Sequence, residues 1–188
     1  GQRVVAIAGT AGKTTTTALV GWLLEQCGLD PSVVNGGVVM NWAAPDRVGN
    51  CRVGASNLFV LEVDESDKSL LRFHPDVSAI TNASKDHHEM DVVIAVFRQF
   101  ARQTKSAVLC GEGVAELLSI AGRPGIHTPE PAEVASRRVT YRGIAFSVPL
   151  IGRHNAENVL MAIRVCEALG CPLEKIRDVL PSFRGVGR

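Results

Sequence analysis

Several features that would assign this chain to a particular partner are missing from it. Twenty lysines and arginines stand against nineteen aspartates and glutamates, a formal net charge of +1. No charge excess therefore marks nucleic acid or an anionic membrane surface as a bulk electrostatic partner. No apolar run approaches the roughly 20 residues that cross a bilayer, and no charged-then-apolar leader opens the chain, so a soluble cytoplasmic protein is expected. The five cysteines, Cys27, Cys51, Cys110, Cys166 and Cys171, are scattered without a Cys-x-x-Cys pair, which suits a reducing compartment. Cys27 and Cys166 fall on apolar faces of expected helices and Cys110 ends an expected strand, so these three read as small buried hydrophobes. There is no internal repeat and no low-complexity tract.

What is present is enough apolar residue for one core: 188 residues, 46% of them hydrophobic, predict a single domain. Val4–Ala8 is an uninterrupted apolar run and reads as a strand buried on both faces. Gly9–Gly12 is a tight turn, and Lys13–Cys27 a helix stopped by Gly28 and Pro31. Ser32–Val34, Leu58–Leu61, Val77–Ile80 and Ala107–Cys110 read as further strands, Val92–Thr104 and Val114–Ala121 as helices. Asn35–Asn57 is a long Gly-, Asn- and Pro-rich loop with a short hairpin expected around Arg47–Val53. Strands alternating with helices predict a mostly parallel sheet with helices on both faces. Two short strands around Tyr141-Arg142-Gly143 predict a small antiparallel annex, followed by helices over Asn155–Leu169 and Leu173–Leu180.

The chemistry starts at "VVAIAGTAGKTTTT", residues 4–17. A buried strand, a glycine turn, Lys-Thr and a helix together make a phosphate-binding loop. Backbone N–H groups and the helix N-terminus cradle anionic oxygens, Lys13 reaches the β/γ phosphates and a hydroxyl, best supplied by Thr14, binds Mg²⁺. The common spacing needs glycine where Ile7 stands, so this loop departs from it and places its glycine at Gly9. The plain alternative is a glycine turn before a helix that the threonines merely cap.

Open parallel sheets bind ligands beyond the carboxyl ends of their strands, and two more strands end in oxygen or nitrogen donors there. One carries Glu62, Asp64, Glu65 and Asp67, which also read as a solvated turn before a helix near Lys68. The other carries Asp86, His87, His88 and Glu89. Adjacent histidines on a regular element cannot face one point, so at most one of His87 and His88 is a ligand. Asn155 and Asn158 sit three apart at the start of a helix and share a face that offers donors and acceptors to a purine edge. Spacing alone does not choose between that and an Asn cap with an incidental second Asn.

Read in order, "GTAGKTTTT", "NGGVV", "LEVDESD", "HPDVSAITN", "DHHE", "GRHNAENVLMAI" and "FRGVGR" resemble the central ATP-binding domain of the Mur ligases, the ATP-dependent amide-forming enzymes of peptidoglycan synthesis, which are related to folylpolyglutamate synthetase. The resemblance implies an α/β, P-loop NTPase-like fold over residues 1–188, with the family's N-terminal UDP-sugar domain and C-terminal closing domain outside this chain. It implies that Gly9, Thr10, Ala11, Gly12, Lys13, Thr14 and Thr15 hold ATP phosphates and Mg²⁺, that Glu62 is the principal Mg²⁺ ligand, that His87 binds a second Mg²⁺, and that His154, Asn155 and Asn158 hold the adenine side. Lys13, Glu62 and His87 are then the catalytic set.

Within the family the motifs are most similar to the branch that adds L-alanine to UDP-N-acetylmuramate, with the murein-tripeptide recycling branch close by. The helix after Asp86-His87 contains no lysine, as in the alanine-adding branch, which does without the carbamylated lysine of other members. Ser84 replaces the family's glutamate, Lys85 stands beside the Asp-His pair, and the loop after Glu89 is short. The rival readings are an ATP-binding homologue without ligation, and a small kinase or GTPase. Ile7 and the absence of an Asn-Lys-x-Asp guanine motif weigh against the latter.

Overall fold

A computed structural model describes residues 1–66, 68–83 and 90–187. The chain runs β1 (Arg3–Ala8), α1 (Lys13–Gln26), β2 (Ser32–Val34), β3 (Val38–Val39), β4 (Cys51–Arg52), β5 (Leu58–Glu62) and β6 (Val77–Ile80). It continues through α2 (Met90–Gln103), β7 (Ala107–Cys110), α3 (Val114–Leu117), β8 (Ile126–His127), β9 (Ala132–Ala135), β10 (Arg138–Tyr141) and β11 (Ile144–Ser147), and closes with α4 (Arg153–Ala168), α5 (Leu173–Val179) and β12 (Val186–Gly187).

Seven strands form the main sheet in the order β4-β2-β5-β1-β6-β7-β8, parallel except for β4 against β2. β1 lies between β5 and β6, so it has a parallel neighbour on each side and no solvated edge. Its side chains alternate between two cores: Val5 and Ile7 pack under α1 and α4, Ala6 and Ala8 under α2. That is the period-two geometry of a strand covered by helices on both faces.

α2 buries Val93, Val96, Phe97, Phe100 and Ala101, a 3-1-3-1 spacing that makes one helical stripe. α1 is different, because Thr16 through Gly21 are all buried. It is enclosed between the sheet and α4, and a helix apolar around most of its circumference is stable only in such a place. Asn158 near the start of α4 packs against Gly12 just before α1, and the Cys166 thiol near the end of α4 lies 3.8 Å from the Val20 carbonyl. The two helices therefore run side by side in the same direction. Cys166 and Cys171 are buried in the core under α1 and α4 with Cys27 half-buried beside them, Cys110 is buried in the core on the α2 side, and Cys51 is exposed. Burial pushes the Cys110 thiol up to about 11 and the Cys27 thiol up to about 12, as expected of thiols acting as packing groups.

Three expectations change. No hairpin forms over residues 47–53. Cys51 and Arg52 pair instead with Val34 and Val33 of β2, and Val38–Val39 pairs with β12. Arg52 decides this, bonding the Pro31 carbonyl at 2.6 Å and the Glu25 carboxylate at 3.0 Å as well as Asp30, which holds the loop against the end of α1. α3 ends at Leu117 rather than Ala121, because Ser119 takes a positive φ of 54°. The annex has a third strand, β9, beside the two expected. No helix among the described residues is long and apolar enough to cross a membrane.

Asp76 ties the start of the central strand down. Its carboxylate accepts from the Val4 N–H at 2.7 Å and faces Lys105 Nζ at 3.5 Å, and both hold its pKa below the usual aspartate range. A depressed carboxyl stabilises the fold fully above its unfolded pKa of about 4, and that contribution is lost as pH falls through the lower folded value. Asp76→Asn is therefore expected to lower the urea midpoint at pH 7 and to narrow the gap between its midpoints at pH 7 and pH 3. A variant gap as wide as the parent's counts against this role.

Candidate active site

The pairing register sets the site. Ile7 of β1 lies opposite Glu62 of β5, and Ala8 lies opposite Ile80 of β6, so three strands end side by side at one edge of the sheet. Past these ends opens a cleft of about 1450 Å³ whose floor includes Ala11, Gly12, Thr14 and Thr15.

The turn between β1 and α1 needs its glycines. Gly9 has φ 141°, and a Cβ there would lie 2.0 Å from Thr81 Oγ1; Gly12 has φ 79°, and its Cβ would lie 2.2 Å from Asn158 Oδ1. Neither approach tolerates a side chain. α1 then starts without a side-chain cap, which leaves the N–H groups of its first turn available at the cleft floor. Because α4 runs alongside with its own N-terminus at the same cleft, two helix N-termini supply positive potential there.

Thr81 and Asn82, which follow β6, grip the loop from one side. Asn82 Oδ1 accepts from Thr10 Oγ1 at 2.7 Å and from the Ala11 N–H at 2.9 Å, while Asn82 Nδ2 and Thr81 Oγ1 each donate to the Ala11 carbonyl at 2.8 Å. From the other side Thr14 Oγ1 donates to Glu62 Oε1 at 2.9 Å, and the Gly36 N–H donates to Glu62 Oε2 at 2.7 Å. Lys13 Nζ lies 2.9 Å from Glu65 and 3.9 Å from Asp64. The Lys13 ammonium and the Thr14 hydroxyl of the loop thus each meet a different carboxylate of the segment that follows β5, Glu65 and Glu62.

Thr14 and Glu62 fit a Mg²⁺ ion. Both present hard oxygen donors, already 2.9 Å apart. Mg²⁺ keeps several waters and substrate oxygens, so one or two protein donors suffice. Among the described residues no group of three histidine, cysteine or carboxylate side chains forms a ready-made cation site. His87, with Asp86, His88, Glu89, Ser84, Lys85 and Asp67, lies outside the described residues.

His154, Asn155 and Asn158 all border the cleft, but the two asparagines do not act as an equivalent pair. Asn158 is 7% exposed and wedged against Gly12, whereas Asn155 Nδ2 donates to the Ile151 carbonyl at 2.8 Å and so closes the turn before α4. The wall opposite α4 is Thr128–Pro131. Arg164, 6% exposed, holds its base by donating to the carbonyls of Cys110 at 2.7 Å, His127 at 2.9 Å and Thr128 at 3.0 Å. Burial lowers the Arg164 pKa from its usual value, yet three carbonyl acceptors satisfy the group there.

Sequence reasoning passed over Asn82, Arg164 and this wall. Asn82 had a usable signal, since it follows a predicted strand just as Glu62 does. Arg164 had one too, as a charge within the apolar stripe of a predicted helix. The threonine run divides in two: Thr14 and Thr15 border the cleft, while Thr16 and Thr17 are buried with no hydrogen-bond partner for either hydroxyl among the described residues.

A central parallel strand that runs into a glycine turn and a helix N-terminus, with lysine, threonine and glutamate side chains meeting where the strands end, defines an α/β domain of the P-loop NTPase-like class. Residues 7–110 match the model of the Mur ligase middle domain, and the chain belongs to that family. It is 36% identical over 206 residues to the UDP-N-acetylmuramate–L-alanine ligase of Thermosynechococcus vestitus, covering 98% of this chain and 42% of that protein. It is likewise 36% identical over 208 residues to the ligase of the same name from Gloeobacter violaceus, covering 100% of this chain and 44% of that protein. The chain thus spans less than half the length of these relatives. Among solved structures, the UDP-N-acetylmuramate–alanine ligase of Thermotoga maritima superposes with a TM-score of 0.79 at 28% identity, covering 100% of this chain and 46% of that one. The UDP-N-acetylmuramate:L-alanyl-gamma-D-glutamyl-meso-diaminopimelate ligase from Neisseria meningitides, with a TM-score of 0.84 and 24% identity over 100% of this chain and 68% of that one, shares the fold.

The buried hydroxyls give a direct test of the threonine division. Thr16→Val and Thr17→Val each replace an unpartnered buried hydroxyl with a methyl group, so each is expected to leave unfolding free energy unchanged or raise it by about 1 kcal/mol. Urea denaturation checks this, and a loss of stability in both variants would show that the hydroxyls are bonded.

Proposed function

We propose that this chain is the nucleotide-binding part of an ATP-dependent carboxylate–amine ligase of peptidoglycan precursor synthesis, which joins L-alanine to UDP-N-acetylmuramate with release of ADP and phosphate. One observation carries the reading: Lys13, Thr14 and Glu62 converge in a chain whose relatives are 36% identical and bear that ligase name. In it the chain is the central domain, with a UDP-sugar domain before it and a closing domain after it, as the coverage of those relatives supports.

The chemical problem is that a carboxylate is a poor acyl donor, because its charge repels nucleophiles and its leaving group would be oxide. Attack of a carboxylate oxygen of the sugar substrate on the γ-phosphorus of ATP expels ADP and leaves an acyl phosphate. The amine of L-alanine then adds to the carbonyl carbon, and phosphate leaves from the tetrahedral intermediate as the nitrogen loses its proton.

This chain contributes position and charge compensation. The N–H groups of the Gly9–Thr15 segment hold the phosphates, with Asn82 keeping the loop rim in place. The Lys13 ammonium exchanges Glu65 for phosphate oxygens. Thr14 and Glu62 hold Mg²⁺, and the Gly36 N–H fixes the carboxylate that does so. When bound, the metal supplies further neutralisation of the triphosphate charge. The adenine takes the cleft beyond the loop, with His154 and Asn155 on its α4 side and Asn158, packed against Gly12, nearer the phosphates.

In the full-length protein, Lys13→Ala is expected to lower ADP release in the presence of UDP-N-acetylmuramate and L-alanine by about a hundredfold or more, the range for removing one preorganised charge-stabilising donor. Near-normal turnover would remove Lys13 from its role. Running the parent with murein tripeptide in place of L-alanine separates the alanine-adding reaction from the recycling one. No turnover with either acceptor, while MgATP still binds, would leave a nucleotide-binding homologue without ligation.

A further inference from the structure

The annex hairpin holds an arginine where the backbone does not favour one. β10 and β11 are joined by the two residues Arg142 and Gly143, and both have positive φ, 49° and 76°. A tight hairpin turn of that hand favours Asn-Gly or Asp-Gly, because a residue with a Cβ enters the left-handed region at a cost. A strained position that retains a bulky side chain points to work done by that side chain.

The Arg142 guanidinium has three partners on three elements. It grips Glu130 with both ends of its fork, Nε at 3.0 Å and a terminal nitrogen at 2.6 Å. Its other terminal nitrogen donates to Glu167 of α4 at 2.8 Å. The charge also lies 5.4 Å from the centre of the Tyr141 ring, and the Tyr141 hydroxyl donates to the second oxygen of Glu167 at 3.0 Å. An isolated exposed ion pair contributes little, but a two-pronged carboxylate grip joined to a second carboxylate is the arrangement that does hold geometry. Its hydrogen bond to Arg142 holds the Glu130 carboxyl below the usual range.

Of the two carboxylates only Glu130, in the Thr128–Pro131 wall, borders the cleft; Glu167 lies outside it, on a later turn of α4, the helix whose earlier residues also border the cleft. This wall has two points of attachment, Arg164 at the backbone of its base and Arg142 at its tip. The enclosed space is the end of the cleft farther from Lys13, bordered by Val134, Leu160 and Met161, and it suits the flat apolar face of a nucleobase.

We propose that Arg142 is a positioning residue for the nucleotide base: by bridging Glu130 on the wall to Glu167 on α4 it sets the width of the base-binding end of the cleft, and the antiparallel annex is the brace that presents it. The proposal rests on reading the cleft as a nucleotide site.

Arg142→Asn tests it, because Asn-Gly is the preferred sequence for this turn, so the variant removes the brace and improves the hairpin at once. Glu130→Gln removes the charge from the other end. Calorimetric titration with MgATP and, separately, with magnesium tripolyphosphate, which has no base, reads the two ends of the cleft independently. The expected result is an Arg142→Asn protein that melts at or above the parent temperature yet binds MgATP about fivefold more weakly, a loss Glu130→Gln shares, with tripolyphosphate affinity unchanged in both. MgATP affinity equal to the parent's in both variants overturns the brace. So does a loss of the same size for MgATP and tripolyphosphate, which is general loosening. A parent chain that binds neither probe overturns the nucleotide reading itself, and this proposal with it.

Discussion

Everything at this site depends on one packing constraint, the parallel pairing of β1 with β5 on one side and β6 on the other. Parallel strands in adjacent register end at the same height, so the groups that follow them are delivered to one place without further instruction. Ile7 opposite Glu62 and Ala8 opposite Ile80 are the rungs that do it. A shift of one residue in either pairing would turn the following side chain to the other face of the sheet. The burial of Val5, Ile7, Ala6 and Ala8 in two separate cores makes such a shift costly on both faces at once. The hydrophobic core is thus what aligns the polar site.

Charge within the site is arranged for exchange. Lys13 and Glu65 are both largely buried, at 15% and 11% side-chain exposure, and 2.9 Å apart. A buried cation without a partner is strongly destabilising, so the acidic turn after β5 is as much a resting partner for Lys13 as a source of metal ligands. A triphosphate offers the same ammonium more negative charge, and taking up a ligand then replaces one ion pair by another. On the proposed reading, this is why an acidic segment beside the loop does not simply repel phosphate. Glu62 is held away from Lys13 by the Thr14 hydroxyl and the Gly36 N–H, so the two carboxylates have separate partners within one turn of chain.

The parallel layout was legible because its signals are local and strong. An apolar run such as Val4–Ala8 has no polar alternation, and the glycine stops and the 3-1-3-1 stripe of α2 are equally plain. Most expected strands match the observed ones to within a residue. The pairing of the two-residue strands was not legible: β3 finds β12 from the far end of the chain, and β4 is placed by Arg52 contacts to Pro31 and Glu25, which no local pattern encodes. At the candidate site, residue type and position after a strand pointed to Lys13, Thr14 and Glu62, and the structure places all three where the strands end. Asn82 was missed because the groups sought after the strands were metal donors, and here its chemistry is to imitate a peptide group, accepting from the N–H of Ala11 and donating to its carbonyl. The rest of the threonine run, Thr16 and Thr17, is packing: the shape of the side chain matters there and neither hydroxyl has a partner among the described residues.

The division of labour among helices follows from the same geometry. α1 and α4 lie side by side and aim two N-termini at one cleft, and Asn158 fills the space that the missing side chain of Gly12 leaves. A change in the loop therefore reaches α4 by direct contact, and a change at α4 reaches the loop. α4 also carries Arg164 and Glu167 on later turns, the first holding the carbonyls at the base of the opposite wall and the second reaching the annex. On the proposed reading, one rigid helix thus touches the phosphate end, the base end and the brace behind it. Because a packed helix moves as a unit rather than bending between contacts, the spacing between those three points is set by α4 itself, and the two ends of the cleft cannot be adjusted independently unless the wall moves.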